Sequence, residues 1–257
     1  MNKPLKASVI IPTYDDDRRL RLVLEGFCHQ TTGDFEVIVV NDGGDISTRD
    51  LVESYSERLD ITYLYLGPAS PDFRVAKARN LGVQFSTGDL IIFVDCDCIP
   101  ARNLVECHLS HFEPRTVLCG RRRNIPEEVF TSLQEPLNFA ALQVKSVPWS
   151  QTVDEWRSYF VGCHNGIPAA LYCEVGGFDE AITGWGGEDI DLLGRFTRMD
   201  ITMLNLGEET MVYHLDHPPR ATHQRETWPE TVIALRYAPL VRNGGPLIRN
   251  IDRNINS

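Results

Sequence analysis

The 257-residue chain has no apolar run long enough to cross a bilayer. Its longest runs, such as Leu90 to Val94, fall far short of the ~20 residues a membrane helix needs. A basic surplus is also missing. Lysine and arginine number 25 against 36 aspartates and glutamates, a formal net charge of −11. That balance argues against nucleic acid or an anionic membrane as the main partner. There is no cysteine framework: the seven cysteines, an odd number, follow no disulfide spacing, so a reducing, cytoplasmic setting is expected. No signal peptide is expected, because Met1 to Lys6 leads straight into a strand-like run. Internal repeats and low-complexity tracts are absent. What is present is 42% hydrophobic residues, enough for one large globular domain with or without a short extension.

The first half alternates strand and helix signals. Strands are expected at Ala7 to Ile11, Glu36 to Val40, Ile61 to Leu66, Leu90 to Val94 and Val117 to Gly120. Between them, helical spacing covers Arg18 to His29, Ser47 to Arg58, Val75 to Phe85 and Ala101 to His111. In the first helix Leu20, Val23, Leu24 and Phe27 share one face. This alternation predicts an α/β fold with a mainly parallel central sheet flanked by helices. Ligands of such sheets bind beyond the carboxyl ends of the strands. Pro12-Thr13-Tyr14, Asn41-Asp42 and Asp95-Cys96-Asp97 all sit at such ends, which points to a nucleotide cleft. The second half is less regular. Pro126 to Val147 reads as mostly helical, Phe160 to Pro168 as a strand and Ala169 to Val175 as a short helix. Glu188 to Met199 reads as a helix, and Ile201 to Leu204 and Met211 to His214 as short strands. A polar tail follows Pro218, broken at Asn243-Gly244-Gly245-Pro246.

Asp95 and Asp97 stand two residues apart after a buried strand, so an extended backbone would point both carboxylates the same way. Such a pair repels unless a cation intervenes, and hard oxygen ligands suit Mg²⁺ or Mn²⁺. The plain alternative is an acidic turn capping the next helix. Cys98, Cys107, His108 and His111 lie nearby, but the spacing matches no structural zinc pattern. Cys96 and Cys98 read as small buried fillers.

The densest stretch is Thr183-Gly184-Trp185-Gly186-Gly187-Glu188-Asp189-Ile190-Asp191. The glycines let the backbone bend and a substrate approach closely. The Trp185 ring offers a flat face for the C–H side of a sugar. A carboxylate beside that face can take a proton from a hydroxyl nucleophile. Acidic residues in a first helical turn are also ordinary dipole partners. Asp191 reads as a cap, a supporting partner or an acceptor ligand. His214 could complete a metal site, though His217 is close by and neither is assigned by the residues alone.

Taken in order, these pieces resemble a known family. They are Val9-Ile10-Ile11-Pro12-Thr13-Tyr14, Val39-Val40-Asn41-Asp42-Gly43, Phe73-Arg74-Val75-Ala76-Lys77-Ala78-Arg79-Asn80-Leu81-Gly82 and Asp95-Cys96-Asp97. Gly176-Gly177-Phe178-Asp179-Glu180, Trp185 to Asp189 and Met211 to His214 continue the series. From Ser8 to Pro218 the chain resembles nucleotide-sugar glycosyltransferases of the GT-A fold, family two type. Its second half is similar to the C-terminal region shared by β-1,4-galactosyltransferases and chondroitin polymerases.

The resemblance implies three parts: residues 1–120 as the nucleotide-binding half, 121–217 as the acceptor-binding and catalytic half of the same domain, and 218–257 as a C-terminal extension. It implies that Pro12, Thr13 and Tyr14 line the base pocket, that Asp42 meets the uracil edge, and that Arg74, Arg79 and Asn80 lie near the base, phosphates or cleft. Asp95, Cys96 and Asp97 would form the acid motif, with Asp95, Asp97 and His214 as ligands of Mn²⁺ or Mg²⁺. Trp185 would touch donor and acceptor sugars, Gly187 would sit against the donor, Glu188 would bind the acceptor and Asp189 would be the general base. Asp191 and Asn165 are further acceptor-side candidates, and His164 and Asn165 could read the donor hexose.

The implied reaction is metal-dependent, inverting transfer of a hexose or N-acetylhexosamine from UDP-Gal, UDP-GalNAc or UDP-Glc to a glycan, glycolipid or peptide. A retaining transferase and a non-catalytic carbohydrate-binding protein on the same fold are the alternatives. A nucleotidyltransferase fits less well, because Tyr14-Asp15-Asp16-Asp17 has the wrong charge for a triphosphate loop. Arg121-Arg122-Arg123 could meet an anionic acceptor or be a solvated cluster. Peripheral membrane association and homodimer formation through the tail stay open.

Overall fold

Two sheets share the chain. The computed structural model describes residues 5–133, 135–148, 160, 162–183, 187–217 and 247–250. The first half runs β1 (Ala7–Thr13), α1 (Asp17–Phe27), β2 (Phe35–Asn41), α2 (Ser47–Glu53), β3 (Ile61–Tyr65), α3 (Val75–Gln84), β4 (Leu90–Phe93), β5 (Cys98–Pro100), α4 (Leu104–Ser110) and β6 (Thr116–Cys119). The second half continues with β7 (Arg121–Ile125), α5 (Glu127–Phe130), α6 (Phe139–Lys145), β8 (Val147–Pro148), β9 (Asn165–Pro168), α7 (Ala169–Val175), α8 (Glu188–Phe196), β10 (Thr202–Asn205), β11 (Met211–Leu215) and β12 (Leu247–Asn250). Eight strands form the main sheet in the order β12-β10-β6-β9-β4-β1-β2-β3, and four form a second in the order β5-β11-β7-β8. In the main sheet only β9 runs antiparallel to its neighbours, so the expected α/β, mainly parallel architecture holds.

The strands of the main sheet are apolar because both faces are covered. Val9 and Ile11 of β1, Val37 and Val39 of β2, and Leu90 and Ile92 of β4 join one core with Leu20, Val23, Leu24 and Phe27 of α1. Ile10, Ile38, Val40, Ile91 and Phe93 alternate to the other face. There they meet Ala76 and Ala78 of α3, Leu171 and Tyr172 of α7, and Leu192, Leu193 and Phe196 of α8.

Two local expectations are corrected and two strands are added. The second helix ends at Glu53 rather than Arg58: the Ser54 hydroxyl donates to the Leu51 carbonyl (2.6 Å), and turns carry the chain to Leu59. The helix expected from Ala101 starts at Leu104, because Cys98–Pro100 is drawn into β5 against β11. Arg121–Ile125 is a strand, pinned between β11 and β8 despite its three arginines. The tail supplies β12, parallel to β10 at the edge of the main sheet. Among the described residues, no helix is long and apolar enough to cross a membrane.

Candidate active site

Parallel pairing sets the rim of the site. Thr13 lies opposite Asn41 and Ile10 opposite Phe93, so the carboxyl ends of β1, β2 and β4 stop at one edge. After winding outward through β2 and β3, the chain returns to the other side of β1 as β4, and such a reversal opens a crevice. Pro12, Thr13 and Tyr14 from β1, Asp42 from β2 and Asp95, Cys96 and Asp97 from β4 line that crevice. Arg79 of α3, Glu188 of α8 and His217 close it.

The β2 end is a tight turn. Gly43 has φ +96°, and a Cβ there would lie 2.5 Å from the Ala69 backbone nitrogen. The Gly44 N–H donates to the Asn41 side chain at 2.7 Å. Asp42 is held by Arg74, whose Nε donates to Oδ1 at 2.7 Å. Burial pushes the Asp42 pKa up, and Arg74 acts against that rise. The carboxylate expected at a uracil edge is therefore gripped by a guanidinium.

Arg79 is the centre of the site. Its side chain is 3% exposed and donates to Asp95 (2.9 Å) and to Glu188 (2.8 Å). The guanidinium also sits over the Phe178 ring, 5.2 Å from the centroid. Gly162 lets it fit, since a Cβ there would come within 2.5 Å of Nη2. One cation between the buried Glu188 and the half-buried Asp95 leaves excess negative charge. Burial, with Asp97 and Glu188 adding to it, raises the Asp95 pKa against the pull of Arg79. The second oxygen of Glu188, Oε2, is buried with no hydrogen-bond partner among the described residues.

Asp189 follows Glu188 in the first turn of α8. It is half-buried and is not part of the crevice wall. Burial and the neighbouring Glu188 charge push its pKa up to about 7, against Arg79 and the N–H groups of Ile190 and Gly162. Gly187 is the buried N-cap of the helix. Trp185 lies outside the described residues.

Asp97 meets two histidines. His217 Nε2 lies 3.1 Å and His214 Nε2 3.6 Å from Asp97 Oδ2, while the Cys98 thiol donates to Oδ1. The antiparallel register of β5 and β11 sets His214 opposite Cys98, next to Asp97. Burial alone would raise the Asp97 pKa, but the His217 hydrogen bond and the His214 charge prevail and hold it well below the carboxylate range. Burial pushes His214 down to about 4 despite Asp97, so its ring is neutral near pH 7. Its Nδ1 is buried with no hydrogen-bond partner among the described residues. An ionised carboxylate beside a neutral imidazole fits a divalent cation that accepts both oxygen and nitrogen, Mn²⁺ better than Mg²⁺. Among the described residues of the crevice, Asp97, His214 and His217 are close enough to share one ion, whereas Asp95 Oδ1 bonds to Arg79. His217 is the residue sequence reasoning left unassigned; its spacing of three from His214 was the available signal.

Other expected positions have structural partners. The Asn80 side chain accepts from Tyr172 Oη and the Phe178 N–H, and donates to the Phe178 carbonyl and Glu180. Asp191 pairs with Arg195 at 2.6 Å, which in turn donates to the Val175 and Gly177 carbonyls. Asn165 is 2% exposed and sits opposite Phe93 and Cys119 in the sheet. His164 is buried beside the His108 ring, bonded to the Arg121 carbonyl. None of these four lines the crevice. Arg121 pairs with Glu208 (2.8 Å) and Arg123 with Ser146 (2.6 Å), which ties part of the arginine run to the second sheet's surroundings.

The profile described as "Glycosyl transferase family 2" matches residues 8–167 of this chain. The chain belongs to glycosyltransferase family 2. A second profile, "N-terminal domain of galactosyltransferase", matches residues 150–217, the part that carries Glu188, Asp189 and both histidines of the Asp97 cluster. Validoxylamine A glucosyltransferase of Streptomyces hygroscopicus subsp. limoneus is 34% identical over 244 residues, covering 84% of this chain and 52% of that protein. Chondroitin synthase of Pasteurella multocida (strain Pm70) is 27% identical over 223 residues, 74% of this chain and 23% of the synthase. The chain thus spans about half the length of the first relative and under a quarter of the second. The structure of S. aureus TarS 1-349 in complex with UDP-GlcNAc superposes with a TM-score of 0.63 at 18% identity, over 90% of this chain and 64% of that one. At that identity the likeness establishes the fold, which is GT-A.

Proposed function

We propose that this protein is a metal-dependent, inverting glycosyltransferase that moves a hexose or N-acetylhexosamine from a UDP-sugar to an acceptor hydroxyl. The observation that carries this reading is the Arg79 bridge. One buried guanidinium touches both Asp95 of the acid motif and Glu188 of the α8 start, so donor and acceptor machinery lie one side chain apart. The solved UDP and UDP-GlcNAc complexes of the structural neighbour support a uridine nucleotide in the same crevice.

In this reading residues 1–120 hold the nucleotide. Pro12, Thr13 and Tyr14 flank the base, and Asp42, freed or bridged by Arg74, reads its edge. Asp97, His214 and His217 would hold the divalent cation. When bound, the cation neutralises charge on the departing diphosphate. Glu188 Oε2, buried and unbonded among the described residues, orients the acceptor hydroxyl. Asp189 takes the proton as that oxygen attacks, and a pKa near 7 suits a base working near neutrality. Attack opposite the leaving diphosphate inverts the anomeric carbon. Residues 121–217 supply the acceptor side and two of the metal ligands, and 218–257 form an extension.

The test is UDP release with Mn²⁺ from UDP-Glc, UDP-Gal, UDP-GalNAc and UDP-GlcNAc in the presence of glycan, glycolipid and peptide acceptors, with NMR of the product anomer. A product of inverted configuration is expected. Retained configuration sinks the single-displacement assignment. Failure of every donor with folded, Mn²⁺-loaded protein favours a carbohydrate-binding role.

A further inference from the structure

Away from the crevice, α4 and the turn between β10 and β11 bring three other metal-binding side chains together. Cys107 Sγ lies 3.9 Å from Glu209 Oε2 and 4.0 Å from His111 Nδ1. His111 Nε2 lies 3.7 Å from Glu209 Oε2. One donor atom from each residue falls within 4.8 Å of the other two. Cys107 lies in the last turn of α4 and His111 is its C-cap, four residues on, which keeps the two side chains close. Glu209 arrives from far along the chain. Its turn is fastened to the start of α4, where the Asn103 side chain donates to the Glu209 carbonyl at 2.8 Å.

The histidine is already oriented. His111 Nδ1 lies 2.9 Å from the Cys107 carbonyl, which accepts a hydrogen bond from its N–H. In the neutral ring that leaves the Nε2 lone pair facing the Glu209 carboxylate, too far for a hydrogen bond and repulsive without a cation between them. A backbone carbonyl fixing Nδ1–H is the usual support for an imidazole that ligates through Nε2. The donor set is one thiol, one imidazole and one carboxylate. A thiolate selects a softer ion than the carboxylate and two imidazoles of the crevice cluster do. Cys107 is 6% exposed, but the His111 and Glu209 side chains are 28% and 44% exposed, which gives an ion a route in and room for water.

We propose that Cys107, His111 and Glu209 form a Zn²⁺ site, with water in the fourth position. Binding releases the Cys107 proton to solvent and forms Zn–S, Zn–N and Zn–O bonds. Modest contraction of the three side chains reaches tetrahedral geometry, with Zn–S about 2.3 Å and Zn–N about 2.0–2.1 Å. The site clamps α4 to the turn that leads into β11, the strand that carries His214. Glu209 is remote in sequence and so lies outside any local spacing pattern around Cys107 and His111.

Co²⁺ titration of the chelator-stripped, full-length chain tests this without reference to transfer activity. A near-ultraviolet thiolate-to-cobalt band saturating at one ion per chain is expected. Cys98→Ser should keep the band, because Cys98 is the thiol beside Asp97. Cys107→Ser should remove it, and His111→Gln should weaken Co²⁺ binding by at least about tenfold. Circular dichroism checks that each variant is folded. Zn²⁺ should displace Co²⁺ and raise the melting temperature of the parent by more than that of Cys107→Ser, which keeps the Asp97, His214 and His217 cluster. No band at excess Co²⁺, or a band that survives Cys107→Ser or vanishes in Cys98→Ser, overturns the proposal and leaves an ordinary His111–Glu209 ion pair.

Discussion

In the proposed reaction, Asp189 and Glu188 are adjacent carboxyls with different protonation duties. Arg79 bonds directly to Glu188, whereas Asp189 has only backbone donors and a more distant cation, so burial raises Asp189. With a pKa near 7, the proposed base is ionised above neutrality and protonated below it. Turnover is therefore expected to fall about tenfold per pH unit below pH 6, on a limb with apparent pKa near 7. Asp189→Asn should remove that limb and lower turnover by about 10²–10⁴-fold while leaving UDP affinity within a few-fold. Near-normal turnover in this variant would remove Asp189 from the chemistry. The stability sign runs the other way. An acid whose folded pKa is raised stabilises the fold below its unfolded pKa, and that contribution is lost as pH rises through 7. Asp189→Asn should consequently melt higher than the parent above pH 7 and match or fall below it under acid conditions.

Arg79 belongs to the same scale. Deleting it strands the buried Glu188 carboxylate, and breaking a buried pair of this kind costs about 3–5 kcal/mol, to which the half-buried, solvent-screened Asp95 adds little. Arg79→Met is expected to lose stability of that order in urea unfolding at pH 8, with part regained near pH 5 where the carboxyls can protonate. An unchanged midpoint at pH 8 would mean that the bridge is not a structural tie. Asp95 was legible in sequence as part of an acid motif, but its partner was not. Arg79 is one charged residue in a helix with no local signal that its side chain turns inward.

At the scale of elements, the rim of the crevice was legible and the second sheet was not. Leu90 to Val94 is apolar at every position because both sheet faces are covered, and so the polar residues that follow it announce a strand end. β7 reads Arg-Arg-Arg-Asn-Ile and β5 is three residues long, so neither carries a periodicity to detect. Both take their structure from pairing with β11, and that pairing is what sets His214 next to Asp97. The same register brings His217 in two residues past the strand. His217→Ala and Asp97→Ala are each expected to weaken Mn²⁺-dependent UDP binding by at least about tenfold by calorimetry, with UDP binding in EDTA little altered. If His217→Ala binds Mn²⁺ and UDP like the parent, the third ligand lies elsewhere.

For the whole molecule, a net charge of −11 sets the problem that any diphosphate ligand meets. Among the described residues, the crevice wall adds Asp42, Asp95, Asp97 and Glu188 to that background and sets against them Arg79, already paired, with Arg74 gripping Asp42 beside it. Phosphates cannot settle there on coulombic terms without a cation that brings its own charge. The crevice residues also run from Pro12 near the start of the chain to His217, so one occupied site joins β1, β2, α3, β4, α8 and the end of β11. A ligand that bridges them stabilises the fold by mass action, about 2.7 kcal/mol at one hundred times its dissociation constant. For a chain of this size that corresponds to a melting shift of roughly 5–10 °C. UDP with Mn²⁺ should produce a shift of that size, UDP with EDTA a far smaller one, and Mn²⁺ alone an intermediate one. Equal shifts with and without the ion would show that the acidic crevice accepts a nucleotide on its own, which its charge forbids if the phosphates lie beside Asp97.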